Sequence, residues 1–476
     1  MERFDLIAIG GGTAGLVSAA GAASLGLRTA LIEQDVLGGD CLWTGCVPSK
    51  AMIASAKAAH LVRGADRLGL PASDPTGTFH SVMERMRAIR NRVAVHDDPE
   101  RFRKMGVEVI VGHAEFVAPG RVRVDGRTLG AKRIVIATGA TPAIPPIAGL
   151  AEAGYLTHAT VFDQDDLPSH VVVLGGGPIG VEFAQIYQRL GAQVTILEML
   201  PQLLPAEDPE AGALVEGVLS SEGIRVITGA RVERVDSVGG RKCVTASGPG
   251  GTVEVETDEI LVATGRRPNT ARLGLEAAGI ALERGAVKVD ASLATTARGV
   301  WAAGDVAGGG GGGPQFTHVA EYQAKLVLRN AVFPFSSKAD YSMVPAVTYA
   351  DPEIASVGLT DAEARDRHRG VASYRYDLTE LDRAIVDGAP VGFVKVVTGK
   401  GGRILGATIV ARRAGEMIVP IVMAMKHRIA LPKLSRLVFP YPTWSEGLKR
   451  TADGYYREKF AGKSGDMLRR VVRWLR

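Results

Sequence analysis

The sequence predicts an α/β protein in which two parallel-sheet domains are followed by a smaller α+β domain. Two observations predict the sheets: a strand, a glycine turn, a helix and a strand follow one another at residues 4–33, and the same pattern returns at residues 170–198. The third observation is a change of character from about Ala339, where segments typical of sheet precede a segment typical of helix. A chain of 476 residues has room for about three such domains.

The first unit has the features of a dinucleotide-binding turn. The apolar run FDLIAI at 4–9 is typical of a buried parallel strand, and GGGTAG follows it before an alanine-rich helical stretch. In this pattern Gly10 permits the tight turn, Gly12 lets the backbone approach a pyrophosphate, and Gly15 lets the helix pack against the strand. The helix N-terminus favours phosphate. Glu33, at the end of the next strand, is placed to accept hydrogen bonds from ribose hydroxyls.

The second unit, HVVVLGGGPIGVEFAQIYQRLGAQVTILE, repeats these features with Gly175, Gly177, Gly180 and Glu198. Two copies in the same context favour two Rossmann-like nucleotide-binding domains over plain tight turns. A carboxylate at position 198 should repel a 2′-phosphate, which favours NADH over NADPH. The basic pair at 266–267 keeps NADPH open as the alternative.

Two of the three cysteines lie in GGDCLWTGCVPSK at 38–50. Pro48 suits a first helical turn, so Cys46 should lie near a helix N-terminus, where a thiolate is favoured. We interpret Cys41 and Cys46 as a redox pair. The alternatives are a zinc site, which needs further ligands that the segment lacks, and inert structural thiols. Cys243, in RKCVTAS, is predicted to be a packed strand residue.

Three later segments are predicted to be strands that end in short turns. IVIATGATP at 134–142 and ILVATGRRPN at 260–269 end in similar small-residue turns, and GVWAAGDVAG at 299–308 ends at a glycine and an acid. The run of six glycines at 308–313 is predicted to form a flexible loop because it has no side chains to pack.

Composition argues against several classes of protein. A hydrophobic fraction of 46% and a charged fraction of 22% are ordinary for a globular protein, and no apolar run is long enough to cross a membrane. The start, MERFDLIAIGGG, has neither the basic region nor the cleavage site of a secretory signal, so we expect a cytoplasmic protein. A net charge of +5 gives no strong reason to propose nucleic acid as a partner.

Together these motifs resemble those of the flavoprotein disulfide reductases, a family that includes dihydrolipoamide dehydrogenase, glutathione reductase and mercuric reductase. The resemblance covers essentially the whole chain and extends to FPYPTWSEGLKR at 439–450. It implies FAD in the first nucleotide domain, NADH or NADPH in the second, and a homodimer formed by the C-terminal domains. The expected domains are FAD-binding at 1–150 completed by 271–338, NAD(P)-binding at 151–270, interface or dimerisation at 339–460, and a basic amphipathic tail at 461–476.

The resemblance also implies residue roles. Cys46 matches the thiol nearest the flavin, which forms the charge-transfer contact, and Cys41 matches the interchange thiol that meets the substrate. Lys50 and Glu182 match an ion pair beside the reactive nitrogen of the flavin. The remaining matches bind cofactor: Asp305 at the ribityl chain, Ala320 through its backbone, and the small-residue turns containing Thr138, Gly139 and Gly265.

One position departs from most of the family. A His-Pro pair normally supplies the acid–base, with a glutamate five residues beyond; here Glu446 is in place but Tyr441 replaces the histidine. Tyrosine, with a pKa of about 10, is a poor base at neutral pH, although it can donate a hydrogen bond or touch a metal. The mercuric reductase branch carries tyrosine here, but that branch also ends in a cysteine pair, which is lacking after Cys243.

Three functions therefore remain open from the sequence. The first is a mercuric reductase-like enzyme that passes electrons from NAD(P)H through FAD and the Cys41–Cys46 disulfide to a soft metal ion or a small molecule. The second is a dihydrolipoamide dehydrogenase-type enzyme that works between a dithiol and NAD. The third is an FAD-binding redox sensor or a membrane-associated electron-transfer protein.

The tail at 467–476, MLRRVVRWLR, predicts a short basic amphipathic helix. At 100° per residue its apolar side chains gather on one face and its four arginines on the other. Docking on the dimer surface and peripheral contact with an anionic membrane are both open for this helix, and the second would place the protein at the inner face of the membrane.

Overall fold

The computed structural model describes residues 1–75 and 77–476. The chain forms two compact units. The first contains Met1–Ala54, Gly77–Leu167 and Ile260–Tyr341, and the second contains Ser55–Thr76, Pro168–Glu259 and Ser342–Arg476. No helix of the described residues is both long enough and apolar enough to cross a membrane.

The first unit is built on a five-stranded parallel sheet. Its strands, in spatial order, are Val300–Ala302, Ile134–Ile136, Leu6–Ile9, Thr29–Glu33 and Val107–Val111. These strands read as nearly continuous apolar runs because helices cover both faces of such a sheet. The helix Thr13–Ser24 packs against the sheet through buried small residues, and its side chains join those of the strands in one hydrophobic core.

Smaller elements surround this sheet. A second sheet has the order Glu2–Phe4, Arg127–Ala131, Arg121–Val124, Ala114–Ala118. The short strands are Ala140–Pro142 with Arg266–Pro268, Leu156–Thr157 with Glu259–Val262, and Leu282–Glu283, Ala286–Lys288 and Ala307–Gly308. The remaining helices are Gly39–Trp43, Cys46–Arg63, Phe79–Ala94, Pro99–Lys104, Leu150–Ala153 and Thr317–Val332, with single turns at Val95–Asp97, Val161–Asp163, Leu275–Ala278 and Gly309–Gly311.

The second unit repeats the parallel arrangement. The strands His170–Leu174, Gln193–Leu197 and Arg225–Ile227 are parallel neighbours, and the helix Pro178–Leu190 connects the first two. A three-stranded antiparallel sheet follows at Arg231–Val238, Arg241–Gly248 and Gly251–Thr257, and the helix Pro209–Ser221 precedes it. Cys243 lies on the middle strand of that sheet and is half-buried.

The C-terminal part of this unit is a five-stranded antiparallel sheet with helices. Its strand order is Pro345–Thr348, Glu353–Gly358, Ile404–Ala411, Phe393–Thr398, Ala372–Asp377. The helices are Asp361–Arg367, Asp382–Val386, Ala414–Met417, Val419–Lys426, Leu431–Leu434, Glu446–Ala461 and Lys463–Trp474, with turns at Leu378–Glu380 and Lys400–Gly402. The single turn Ala65–Leu68 belongs to the N-terminal segment of the same unit. The sheet and helices share a second hydrophobic core.

The predicted α/β class, with parallel sheets and a C-terminal α+β region, is confirmed. The predicted domain boundaries stay a prediction. Two local expectations are corrected. The apolar run at 4–9 is divided between two sheets, because Phe4 pairs with Ala131 whereas Leu6–Ile9 enters the parallel sheet. The glycine run predicted to be a flexible loop is packed, since a Cβ on Gly311 would lie 1.8 Å from the carbonyl oxygen of Asp290.

Candidate active site

The first glycine turn holds its helix close to the preceding strand. Gly10 has a φ of +107°, a conformation that favours glycine. A Cβ on Gly15 would lie 1.8 Å from the carbonyl oxygen of Gly10, so only glycine fits there. The helix starts after Gly12, and no described side chain caps it, which leaves its first N–H groups directed at the turn. This is the geometry of an anion site at a helix N-terminus.

The acid at the end of the next strand is tied to the same turn. The Glu33 carboxylate accepts hydrogen bonds from the N–H groups of Gly11, at 2.5 Å, and Asp35, at 2.9 Å. Glu33 also lines a cavity of about 100 Å³, together with Ile9, Gly10, Ile32, Gln34, Gly112, His113, Ala114, Thr138, Asn269, Ala271 and Leu273. Five of these twelve lining residues are polar, so the cavity offers hydrogen-bonding groups to a polar part of a ligand, such as a sugar.

The second glycine turn is built in the same way. Gly175 has a φ of +108°, and a Cβ on Gly180 would lie 2.0 Å from the carbonyl oxygen of Gly175. The helix begins after Gly177, around which a Cβ would have open space. The buried Glu198 carboxylate accepts from the N–H groups of Gly176, at 2.5 Å, and Leu200, at 2.7 Å. The two predicted dinucleotide sites therefore have the same local construction.

The cysteine motif begins against the first glycine turn. The N–H of Gly38 donates to the carbonyl oxygen of Gly11 at 2.9 Å. Gly39 has a φ of +59°, and a Cβ there would lie 2.7 Å from the Cα of Gly12. This close approach of two backbones explains the glycine pair and brings the helix Gly39–Trp43, which carries Cys41, to the anion site.

The two cysteines are thiols that interact with each other. Cys46 is the first residue of the helix Cys46–Arg63, and Cys41 is half-buried in the preceding helix. The hydrogen bond with Cys46, together with burial, raises the pKa of Cys41 well above its usual range. A helix N-terminus favours the thiolate form, so the negative charge of the pair belongs on Cys46.

A second helix N-terminus lies at the same sulfur. The Sγ of Cys46 is 3.5 Å from the Oγ1 of Thr317, which begins the helix Thr317–Val332. The hydroxyl can donate to either sulfur, since a hydrogen bond to Thr317 also opposes the rise in the pKa of Cys41. The partial positive charge of the helix end favours a thiolate near it. Ala320, in the first turn of this helix, is buried, and its N–H donates to Phe316 within the helix. Sequence reasoning missed Thr317, because its only local signal is a threonine at a helix start.

An ionic cluster that the sequence analysis did not predict fixes the residue beside Cys41. Arg266 binds the carboxylates of Asp40 at 2.7 Å and Asp305 at 3.2 Å, and it lies 2.9 Å from Nε2 of the buried His158. Thr44 also donates to Asp40. Burial alone would raise the pKa of Asp40, but hydrogen bonding to His158 and the charge of Arg266 hold that pKa well below its usual range. Burial raises the pKa of Asp305.

Arg266 is therefore committed to two carboxylates rather than available as a surface cation. The predicted ribityl-binding role of Asp305 remains a prediction. The small-residue turns that precede this cluster are joined directly: the strands Ala140–Pro142 and Arg266–Pro268 pair, and Thr138 donates to the carbonyl oxygen of Asn269 at 2.7 Å. Gly139 and Gly265, with φ of +68° and +135°, supply the turns.

The Asp40 cluster predicts a specific acid dependence of stability. Because the folded-state pKa of Asp40 is depressed, its contribution is complete above its unfolded pKa of about 3.9 and is lost as the pH falls below that value. Replacing Asp40 by asparagine should reduce the free energy of unfolding by about 1–2 kcal/mol near pH 7, a range that allows for solvent screening. Urea titration from pH 3 to 8 should show this difference shrinking below about pH 4.

The control for this prediction is Asp35→Asn, which neutralises an exposed acid five residues away. It should change the free energy of unfolding by less than about 0.5 kcal/mol at every pH. An Asp40→Asn difference that grows on acidification would contradict the assignment.

Lys50 and Glu182 lie in different units, and their predicted pairing stays a prediction. Lys50 is half-buried one turn beyond Cys46 on the same helix. Glu182 is buried in the helix Pro178–Leu190, where its Oε1 accepts from the N–H of Tyr349 at 2.8 Å.

Tyr441 and Glu446 are each held by another partner. The Tyr441 hydroxyl donates to Asp382 at 2.8 Å, and Glu446 binds Arg450 at 2.7 Å. The hydrogen bond to Asp382 raises the pKa of Tyr441. Glu446 is buried, and its Oε2 has no hydrogen-bond partner among the described residues. The catalytic roles predicted for both residues remain predictions.

Comparison with known proteins identifies the family to which this chain belongs. Residues 4–324 match the model of the pyridine nucleotide-disulphide oxidoreductases, and residues 344–452 match the dimerisation domain of the same group. A mercuric reductase of Lysinibacillus sphaericus is 34% identical over 95% of this chain and 82% of its own length. A dihydrolipoyl dehydrogenase of Thermus scotoductus is 34% identical over 96% of this chain and 98% of its own length.

Solved structures agree with this result. The HOCl-induced flavoprotein disulfide reductase RclA from Escherichia coli superposes with a TM-score of 0.85 at 30% identity, covering 94% of this chain and 99% of RclA. LpdA from Mycobacterium tuberculosis superposes with a TM-score of 0.84 at 31% identity, covering 95% of this chain and 99% of LpdA. RclA has also been solved as a Cu(II) complex.

Proposed function

The chain belongs to the pyridine nucleotide-disulphide oxidoreductases, and on that premise we propose that it carries electrons from NADH through FAD and the Cys41–Cys46 pair to a soft metal ion. The family is FAD- and NAD(P)-dependent, and its members are oxidoreductases. A purely non-enzymatic sensor is therefore a poor description of this chain. The choice of NADH and the nature of the acceptor are the proposal.

The residues of the first unit fit FAD. The uncapped helix start after Gly12 suits a pyrophosphate, and the polar groups of the cavity beside Glu33 suit the hydroxyls of a ribose. The Nε of Arg266 is buried without a hydrogen-bond partner among the described residues, so a polar group of a ligand can satisfy it. When bound, FAD accepts a hydride from a nicotinamide and supplies the electron pair to a disulfide.

The cysteine pair carries the proposal. In this proposal Cys46 holds the negative charge, which its place at two helix N-termini supports, and Cys41 keeps its proton, which the raised pKa of Cys41 supports. Such a dithiol reduces a bound oxidant, or holds a soft metal ion through both sulfurs. The overall reaction balances, since NADH gives up a hydride and one divalent mercuric ion takes both electrons, leaving NAD⁺, a proton and metallic mercury.

The residue at position 441 favours a metal ion over a dithiol substrate. Turnover of a dithiol requires a base that removes and returns thiol protons. Tyr441 does not supply one near neutral pH, because its hydrogen bond to Asp382 raises a pKa that is already about 10. A metal ion needs no base that also returns protons, because its binding displaces the Cys41 proton to solvent and no leaving thiol has to be protonated.

The test compares acceptors on one preparation of FAD-loaded protein. The protein is reduced by NADH without oxygen and then offered mercuric ion, cupric ion, lipoamide, glutathione disulfide or a quinone. We expect NADH consumption with a metal ion to exceed that with lipoamide by at least about tenfold, a difference of about 1.4 kcal/mol in activation free energy. Fast lipoamide turnover would instead support the dihydrolipoyl dehydrogenase-type function, which relatives such as that of Thermus scotoductus favour.

Tyr441 provides a prediction with a matched pair of variants. Tyr441→Phe should leave the pH dependence of kcat/KM unchanged between pH 6 and 9, because the phenol stays protonated throughout that range. Tyr441→His should add a new ionisation near pH 6.5 and raise lipoamide turnover, since an imidazole can act as the missing base. Steady-state rates with both acceptors measure this. Loss of a pH-dependent limb in Tyr441→Phe would show that the phenol does titrate.

Two other parts of the proposal, the homodimer and the preference for NADH, rest on separate observations. Val419, Met423, Leu437 and Val438 are exposed apolar side chains in the region that matches the dimerisation domain, so we propose a homodimer formed there. The Glu198 carboxylate at the second glycine turn favours NADH, because it would repel a 2′-phosphate. Sedimentation and parallel assays with NADPH test these two points.

A further inference from the structure

The chain ends in a helix that lies beyond the matched dimerisation domain. The family match stops at residue 452, whereas the helix Lys463–Trp474 follows it and is succeeded by Leu475 and Arg476. The tail makes one ion pair within its own helix, between Arg469 and Asp466 at 2.6 Å. The two family models that match this chain do not extend to this helix.

The tail helix leaves its apolar face uncovered. Trp474 is 83% exposed, Leu475 71% and Met467 70%. Leu468, Val471 and Val472 are also exposed. At 100° per residue these six side chains occupy one continuous arc of about 160°. Six exposed apolar residues on a single short helix form a contiguous patch rather than scattered surface positions.

The opposite face is net positive, with four arginines and one acidic side chain, Asp466, which pairs with Arg469. Arg469, Arg470, Arg473 and Arg476 share the remaining arc, and the segment 467–476 contains no acidic side chain. Arg470, Arg473 and Arg476 form no ion pair with a carboxylate side chain in the described part of the chain. A surface with this charge is complementary to an anionic partner and repels a second copy of itself.

We propose that the tail helix 463–476 binds the surface of an anionic phospholipid bilayer. An apolar arc inserts between headgroups while arginines contact lipid phosphates, and tryptophan prefers this interfacial depth. Twelve residues span about 18 Å, which is too short to cross a hydrocarbon core of about 30 Å, so the helix lies in the plane of the interface. This inference does not depend on the electron acceptor.

The experiment is flotation of the FAD-loaded chain of 476 residues with vesicles of phosphatidylcholine alone or of phosphatidylcholine with phosphatidylglycerol. We expect binding to the anionic vesicles only, and weaker binding as salt shortens the range of the attraction. Replacing Arg470, Arg473 and Arg476 by glutamine should weaken binding about fivefold for each arginine, or about 100-fold together. Trp474→Ala should weaken it at least about tenfold.

The matched control removes three exposed cations elsewhere in the same unit, by Arg369→Gln, Lys400→Gln and Arg403→Gln. This variant should float like the unmodified chain. Equal flotation by both triple variants, or equal binding to neutral and anionic vesicles, would overturn the proposal. So would a Trp474→Ala variant that dissociates a larger assembly in the absence of lipid, because the face would then be a contact between copies.

Discussion

Replacing either Cys41 or Cys46 by serine should lower turnover with the physiological acceptor by roughly 10³-fold or more, because each sulfur is needed to carry the electron pair outward. Reduction of bound FAD by NADH should continue in both variants, since the thiols act after that step. Anaerobic stopped-flow measurement of flavin absorbance, followed by assays with mercuric ion, separates the two steps.

The same variants should differ in one spectroscopic signature. We propose that the negative charge of the pair lies on Cys46, because its hydrogen bond raises the pKa of Cys41 and two helix N-termini lie at Cys46. A long-wavelength charge-transfer band in the reduced protein should therefore persist in Cys41→Ser and vanish in Cys46→Ser. The control is Cys243→Ser, because Cys243 lies on the strand Arg241–Gly248, about 200 residues along the chain from the cysteine pair. This variant should match the unmodified protein in both assays. The opposite pattern of bands would reverse the two assignments.

The Gly15→Ala variant should be colourless, because the added methyl group should prevent FAD from binding. The Cβ would lie 1.8 Å from the carbonyl oxygen of Gly10, so the helix must move away from the strand and the anion site opens. The equivalent change at Gly180, where the Cβ would lie 2.0 Å from the carbonyl oxygen of Gly175, should leave FAD bound. It should instead raise the KM for NADH by at least about tenfold.

Absorbance at the flavin maximum and steady-state kinetics measure the two effects separately. Gly217→Ala is the matched control: this exposed helical glycine has open space around its Cβ position, and the change should raise stability by about 0.5–1 kcal/mol. A yellow Gly15→Ala variant with normal FAD affinity would contradict the proposed site. Loss of FAD from the Gly180→Ala variant would contradict the proposal that the first glycine turn binds FAD and the second binds NADH.

The fold class and the two glycine turns were predictable because their requirements are local. Gly10 and Gly15 are five residues apart, and the contact between them depends only on one turn and one helix. Strand identity also followed from continuous apolar runs. The division of the run at 4–9 was not predictable, because pairing of Phe4 with Ala131 depends on a strand more than a hundred residues away.

The electrostatics of the site was beyond sequence reasoning. Asp40, His158, Arg266 and Asp305 are separated by up to 265 positions, and no periodicity links them. Tyr441 was singled out from the sequence as a departure from most of the family, but its partner Asp382 was not anticipated. The glycine run was predicted to be flexible because it lacks side chains, yet the backbone itself packs against Asp290.

The sequence by itself determined the α/β class, the two glycine turns, the spacing of the cysteine pair and the amphipathic pattern of the tail, because spacing along one strand, turn or helix specifies each of them. Tertiary structure alone decided which groups lie beside the Cys46 sulfur and which residues hold the cysteine motif in place. Those properties depend on groups such as Thr317 and Arg266 that the fold brings within a few ångströms. Coulomb energy and hydrogen bonding depend on distance in space, and distance along the chain does not encode it.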